Sequence, residues 1–281
     1  MSETCKCRLQ TLNDGNVIPQ IGFGVCQLSP GEETYQAVSR ALVVGYRNID
    51  TASIYGNEAD VGRAVRDSGI PRESIFITSK LWTIPMETDG YNYALREAEA
   101  SLRRLQTYID LYLIHSPHHP LERVNFWRAL ELLKKSDKVR SIGVSNFGVH
   151  HLQELLQSSE CSILPAVNQI EFHPFFQRYE IEEFCKLNQI QLQAWAPLAR
   201  AKKLDHPVLK HIADYHGKTA AQVLIRFSID KGYVPLPRTS RKEKIRENFE
   251  VFDFTLSEAE LEALDDLDER LIVGWDPVKL Q

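Results

Sequence analysis

Four side chains of this 281-residue chain carry chemistry that makes sense only when they are taken together. Asp50 and Tyr55 sit in Asn48-Ile-Asp-Thr-Ala-Ser-Ile-Tyr-Gly-Asn-Glu58, which reads as a strand end, a short loop and a helix start. Lys80 closes Phe76-Ile-Thr-Ser-Lys80, and His115 closes Leu111-Tyr-Leu-Ile-His115, each at the end of another apolar run. A free phenol, with a pKa of about 10, releases its proton poorly at neutral pH. An ammonium beside it lowers that value, a carboxylate keeps the ammonium charged and aimed, and an imidazole hydrogen-bonds a substrate oxygen. Such a set polarises and protonates a carbonyl while a hydride arrives from elsewhere.

Each residue also has a plainer reading. Asp50 could cap a helix or pair with Lys80 for structure alone. Tyr55 could be a packing aromatic, and His115 a core histidine with its hydrogen bonds satisfied. Aspartate, lysine and histidine also occur in metal-dependent barrel hydrolases. Here, however, no His-x-His strand end or paired carboxylates complete a metal shell, and His115-Ser-Pro-His-His119 is too irregular to supply one. No metal is expected.

The elements that must position these residues follow from periodicity. Asn13-Asp-Gly15 between Arg8-Leu-Gln10 and Val17-Ile-Pro19 is a hairpin signal. Short apolar runs then recur at 21–24, 48–50, 75–79, 109–114, 139–144, 166–170, 191–195 and 233–236. Helical patterns alternate with them. Tyr91, Ala94, Leu95, Ala98, Leu102 and Leu105 form one apolar stripe, and Val149, Leu152 and Leu156 another. Thr219-x-x-Gln222 and Ser257-x-x-Glu260 are capping-box starts. Eight strands alternating with helices, without a composition break, predict a single (β/α)8 TIM barrel over 1–281 behind an N-terminal β-hairpin. In such a barrel every strand's C-terminal end opens on one face, so three consecutive strand ends bring the four side chains together. The doubly wound alternative needs Gly-x-Gly-x-x-Gly at the first turn. This chain has Gly22-Phe-Gly24-Val-Cys-Gln27, read as a tight turn rather than a dinucleotide fingerprint.

Taken with further segments, the sequence resembles the aldo-keto reductase family. The segments are Gly22-Phe-Gly24, Asp50-Thr-Ala-x-x-Tyr55-Gly-Asn-Glu58, Thr78-Ser-Lys80-Leu-Trp82, Asp110-Leu-Tyr-Leu-Ile-His115, Ile142-Gly-Val-Ser-Asn146-Phe147, Asn168-Gln169-x-Glu-x-His-Pro174, and Pro237 followed by Ile245-x-Glu247-Asn248. They occur in family order across about residues 8 to 275. The resemblance implies that Asp50, Tyr55, Lys80 and His115 are a catalytic tetrad with Tyr55 as proton donor. The implied reaction moves a hydride from a reduced nicotinamide to an aldehyde or ketone. It further implies that Ser145, Asn146 and Gln169 clamp the nicotinamide carboxamide and that Trp195, where tyrosine is commoner, stacks on the ring. Gly24, Asp50, Pro197 and Leu198 would line the rest of the cofactor. Arg238, Thr239, Ser240, Lys244, Glu247 and Asn248 would hold the adenosine 2′-phosphate and adenine. Arg238 and Lys244 exchange the family's usual lysine and arginine, and Lys244 lacks a planar fork. NADPH/NADP+ is the expected cofactor, with secondary use of NADH. Cys26 and Ser116 stand where many relatives carry bulky aromatic pocket walls, while Trp82 is retained. With a short segment after Trp195 and a short tail after Asp268, both substrate-covering in the family, this predicts a wider, more open and more polar pocket than in its large-loop members. Cys26 is expected within reach of the cofactor, where an alkylating agent could find it.

Composition sets the outer bounds. With 43% hydrophobic and 25% charged residues the chain is ordinary globular protein. A net charge of -5 speaks against a nucleic-acid partner. The five cysteines (5, 7, 26, 161 and 185) match no zinc or disulfide framework and read as reduced thiols, Cys5 and Cys7 on the hairpin. No basic-then-apolar leader and no membrane-length apolar run is visible, so the expected setting is the cytoplasm, without a membrane. The expected partner is a small-molecule carbonyl compound bound by a monomer. The rival from another class is a non-catalytic nicotinamide-nucleotide-binding module, a redox sensor or partner subunit on the same barrel. That rival has no need of Lys80 and Tyr55.

Overall fold

The structure, a computed structural model, describes residues 8–83 and 89–280. Cys5 and Cys7, expected on the hairpin as thiols, lie outside the described residues. The hairpin pairs β1 (Leu9–Thr11) with β2 (Val17–Pro19) antiparallel, Gln10 opposite Ile18. Asp14 and Gly15 turn the chain between them, with Gly15 at φ 84°.

Eight parallel strands follow in sequence order: β3 (Phe23–Gly24), β4 (Asn48–Asp50), β5 (Phe76–Leu81), β6 (Ile109–Ile114), β7 (Val139–Ser145), β8 (Val167–Glu171), β9 (Gln191–Trp195) and β10 (Val234–Leu236). The helices between them are α1 (Glu32–Val44), α2 (Glu58–Asp67), α3 (Gly90–Leu105), α4 (Arg123–Lys135), α5 (Val149–Gln157) and α6 (Tyr179–Leu187). Two more, α7 (Pro207–His216) and α8 (Ala220–Asp230), join β9 to β10, and α9 (Lys242–Phe249) and α10 (Glu258–Asp265) follow. The expected stripe on α3 is real: Ala94, Ala98 and Leu105 are fully buried. Both capping boxes form, Thr219 and Ser257 each accepting from the backbone N–H three residues on.

The seam between the first and last barrel strands is closed by Gly22 N–H donating to Pro235 O (3.0 Å) and Gly24 N–H to Pro237 O (3.1 Å). This corrects the reading of Gly22 and Gly24 as a tight turn. They are glycines because β10 passes too close: a Cβ on Gly22 would lie 2.5 Å from a Leu236 methyl, and one on Gly24 3.2 Å from Leu236 O. Leu12 and Ile18 of the hairpin pack with Phe76, Leu111, Leu113, Val167 and Val234 in a small second core. The larger core lies between the sheet and its helices. Among the described residues no helix is long and apolar enough to cross a membrane.

Candidate active site

Asp50 is the last residue of β4, Lys80 the last but one of β5, and His115 follows β6 directly. Tyr55 ends a single 3-10 turn over Ser53–Tyr55. That turn is fixed by two side chains after it. Asn57, fully buried, accepts from the Thr51 hydroxyl (2.8 Å) and donates to Val25 O (3.0 Å) and Leu28 O (3.3 Å). Glu58, also fully buried, accepts from Ser79 Oγ and Arg104 Nε, both at 2.5 Å. Gly56, between the turn and these two residues, takes the left-handed conformation, φ 69°.

Lys80 is fully buried and donates from Nζ to Asp50 Oδ1 (2.6 Å) and Thr51 O (2.9 Å). The other Asp50 oxygen accepts from Gln169 Nε2 (2.8 Å). Lys80 Nζ stands 5.2 Å from the Tyr55 ring centroid, and the Tyr55 and His115 rings meet edge-on at 5.7 Å. The sequence led us to expect a phenol made more acidic by Lys80. In the structure burial, then Cys26 and Asp50, push the Tyr55 pKa well above its usual value. The reason is that Asp50 spends the lysine's charge, leaving desolvation of the phenolate as the larger effect. Burial, with Lys80 adding to it, holds the His115 pKa well below its ordinary value, so its ring is neutral.

Asp50, Tyr55 and His115 line a cavity of about 500 Å³, whose wall also includes Gly24, Cys26, Trp82, Ser145, Asn146 and Gln169, while Lys80 lies buried outside that wall. Trp195, Pro197, Leu198 and Arg238 continue it. The three residues expected to clamp a carboxamide are largely bonded to the protein. Ser145 Oγ donates to Gln169 O (2.8 Å), and Asn146 Nδ2 donates to His115 O (3.0 Å). Asn146 Oδ1 accepts from Trp195 Nε1 (2.8 Å), and Gln169 Nε2 donates to Gln193 Oε1 (2.9 Å) as well as to Asp50. Gln193, fully buried, braces Gln169 and was missed by the sequence reading; its signal was an amide at an inward position of the strand Gln-Leu-Gln-Ala-Trp.

Thr239, Ser240, Lys244, Glu247 and Asn248 are outside this cavity's wall, on the segment running from β10 into α9. Lys244 Nζ donates to both Glu247 oxygens (2.7 and 2.5 Å), so its charge is partly engaged. Asn248 is buried with Oδ1 unpartnered among the described residues. Glu33 at the start of α1 accepts from Ser29 N–H (3.0 Å), and its carboxyl is held below the usual range chiefly by Ser29, with Ser240 and the Arg238 charge contributing.

Ser116 is a correction. It does not line the cavity; it is buried behind the wall, its hydroxyl 2.5 Å from His118 Nδ1 and 3.3 Å from Thr83 Oγ1. The tail brings Trp275 to the cavity, stacked on His118 (4.9 Å, 14°) and 6.3 Å from Trp82. Glu171 holds that tail, accepting from Val273 N–H (2.6 Å) and Gly274 N–H (3.2 Å), and Arg178 pairs with Asp276 at 2.8 Å. Arg200 and Ala201, in the segment after Trp195, are further wall residues, as is Ile54, which had no signal in the sequence reading. Among the described residues no cluster of three metal-ligating side chains occurs.

The profile of the aldo/keto reductase family matches residues 20–269. The chain is 45% identical over 270 residues to a glyoxal reductase of Bacillus subtilis strain 168, covering 96% of both chains. It is 42% identical over 270 residues to a methylglyoxal reductase of Escherichia coli strain K12, covering 95% of both. Its structure superposes on the crystal structure of an aldo/keto reductase from Brucella melitensis with a TM-score of 0.88 at 45% identity, covering 93% of this chain and all of that one. With that match, and with three consecutive barrel strands converging on one cavity, the chain belongs to the aldo/keto reductase family.

Proposed function

We propose that this enzyme reduces small aldehydes and ketones, α-oxoaldehydes foremost, to alcohols, using NADPH in preference to NADH. The observation that carries the reading is the buried Lys80–Asp50 ion pair, with Lys80 Nζ 5.2 Å from the ring centroid of Tyr55, which lines the cavity together with Asp50 and His115. A purely structural pair has no reason to sit beside a phenol that lines a cavity. The cavity also suits a dinucleotide. Trp195 offers a flat indole face, and Gly24 leaves room where a side chain would meet Leu236 O and Arg238 Cβ. Arg238 and the N-terminus of α9 supply positive potential for a phosphate.

A bound reduced nicotinamide supplies the hydride. The substrate oxygen lies between the Tyr55 hydroxyl and the His115 ring. A neutral His115 donates one hydrogen bond to that oxygen without surrendering a charge. Tyr55 delivers the proton as negative charge develops. Lys80 stabilises the phenolate left behind, and Asp50, braced by Gln169, fixes Lys80 in place. The pairing of Lys244 with Glu247 and the Glu33 carboxylate beside Arg238 weaken the grip on a 2′-phosphate, which supports secondary use of NADH. The named activities of the B. subtilis and E. coli relatives support α-oxoaldehydes as the substrate class. A monomer acting in the cytoplasm belongs to the same proposal, and gel filtration with cell fractionation tests it.

The test is consumption of NADPH and NADH, in parallel, with methylglyoxal and an activated aromatic aldehyde. Wild type should turn over both, faster with NADPH. Tyr55→Phe should bind NADPH and lose about 10²–10⁴-fold in turnover. Tight NADPH binding by wild type without turnover of either carbonyl would favour the non-catalytic module.

A further inference from the structure

Behind the cavity wall stands an amide that gives its oxygen to a neighbour and leaves its own nitrogen unpaired. Gln193, in the middle of β9, is fully buried and is not part of the wall. It lies opposite Gln169 in the register of β8 with β9. Gln169 Nε2 donates both to Asp50 Oδ2 (2.8 Å) and to Gln193 Oε1 (2.9 Å). The polarity of these bonds is fixed. Asp50, ion-paired with Lys80, can only accept, so the Gln169 atom facing it is the NH2 nitrogen. That same nitrogen faces the Gln193 amide, which must answer with its oxygen. Gln193 Nε2 is thereby turned to a place where it is enclosed and has no partner among the described residues. A buried donor left unpaired is destabilising, and an apolar side chain of the same length would avoid it. The compensating order is on Gln169. Both protons of its amide are engaged, and Oε1, on a residue that lines the cavity, meets no donor among the described residues.

We propose that Gln193 is a positioning residue for the nicotinamide: acting through Gln169, it fixes an amide oxygen as the acceptor that reads the N–H of the cofactor's carboxamide. The inference rests on the reading that this cavity takes a nicotinamide dinucleotide. With Asp50 as its only acceptor, the Gln169 amide can swing about that one bond and turn its second proton toward the cavity. With Gln193 as a second acceptor on the adjacent strand, the amide plane is held by two bonds, and Oε1 is what it offers a ligand. A carboxamide carries both an oxygen and an NH2 group, so a fixed acceptor distinguishes one end from the other, and the orientation of the ring follows. The same bonds join the cofactor clamp to the tetrad. Gln193, Gln169, Asp50 and Lys80 form one hydrogen-bonded chain from β9 through β8 to β4 and β5.

The experiment measures dissociation constants of the full-length protein for NADP+ and for its 3-acetylpyridine analogue, in which a methyl ketone replaces the carboxamide and no N–H remains. Quenching of tryptophan fluorescence reads binding, and a thermal melt gives the Tm of each variant. Wild type should bind NADP+ about 5- to 10-fold more tightly than the analogue, the effect of one hydrogen bond. Gln193→Met should bring the two constants within ~2-fold of each other by weakening NADP+ alone. Its Tm should stay nearly unchanged, because one enclosed donor disappears as the Gln169 amide loses an acceptor. Gln193→Glu keeps an acceptor toward Gln169 and should keep the wild-type preference. If Gln193 serves stability alone, Gln193→Met lowers Tm and weakens both ligands alike. That result overturns the proposal, as does a preference that survives in Gln193→Met or is lost in Gln193→Glu. Wild type binding both ligands equally overturns it too, and leaves the dinucleotide reading standing. Wild type binding neither ligand removes the dinucleotide reading itself, and the inference with it.

Discussion

At the scale of single residues, the two groups proposed to face the substrate oxygen are both pushed toward their neutral forms. Burial raises the Tyr55 pKa, and burial with Lys80 lowers that of His115. Tyr55 keeps its proton below its raised value, and His115 stays uncharged above its lowered one. Neither therefore titrates across the neutral range, and kcat/KM for a non-ionisable aldehyde should be flat from about pH 6 to pH 9. A step near the ordinary histidine value would show that His115 is solvated. The ion pair behind them makes a separate prediction. Lys80→Met leaves the Asp50 carboxylate buried with only Gln169, which should cost about 3–5 kcal/mol in urea unfolding and abolish turnover. Lys80→Met with Asp50→Leu should recover much of that stability and none of the turnover, separating the pair's mechanical part from its chemical one.

At the scale of elements, the tail decides how the cavity is closed. Gly274 lies against Trp195, where an added Cβ would come within 2.5 Å of the indole ring. Gly274→Ala should displace that ring and raise the cofactor KM several-fold while leaving the unfolding midpoint nearly unchanged; parallel titrations with NADPH check it. The tail's far end is tied to α5. His151 Nδ1 accepts from Gly148 N–H (3.0 Å), and its Nε2 must carry the proton because it faces Leu280 O at 2.7 Å. Burial lowers its pKa to about 4. A histidine depressed in the fold takes up its proton first in the unfolded chain, so stability is lost as pH falls from the unfolded value toward 4. Wild type should lose about 1–3 kcal/mol over that window. A variant with His151→Gln should show a shallower acid dependence in denaturant titrations.

At the scale of the whole molecule, barrel closure depends on places where two backbones approach with nothing between them. Gly143 in β7 is one: a Cβ there would lie 2.5 Å from Val167 O of β8 and 2.8 Å from a Leu113 methyl of β6. Gly143→Ala should therefore destabilise the protein by about 1–3 kcal/mol or more, read as a lowered Tm. Gly62 plays the same part between α2 and Leu105 of α3, with only 2.2 Å to a carbonyl oxygen. The hairpin contributes Leu12 and Ile18 to the smaller core, while at the other mouth the ends of β4, β6, β7 and β8 carry Asp50, His115, Ser145 and Glu171.

Sequence by itself determined what is local or periodic. The strands alternate with helices because apolar runs and amphipathic stripes repeat, and the helix starts at Thr219 and Ser257 are written in three-residue spacing. The tetrad was legible because a barrel converts strand ends into neighbours whatever their separation along the chain. Tertiary structure alone decided what depends on distant partners. Trp275 meets Trp82 and His118 through a tail that Glu171 and Arg178 pin down, and no local pattern announces such a contact. Ser116 turns away from the cavity because His118 and Thr83 offer its hydroxyl partners. The direction of the Tyr55 pKa was likewise hidden: a lysine nearby in sequence terms says nothing of how far Asp50 neutralises it or how completely the phenol is desolvated. Burial and pairing are properties of the assembled barrel, and they set the chemistry of residues whose identity the chain had already supplied.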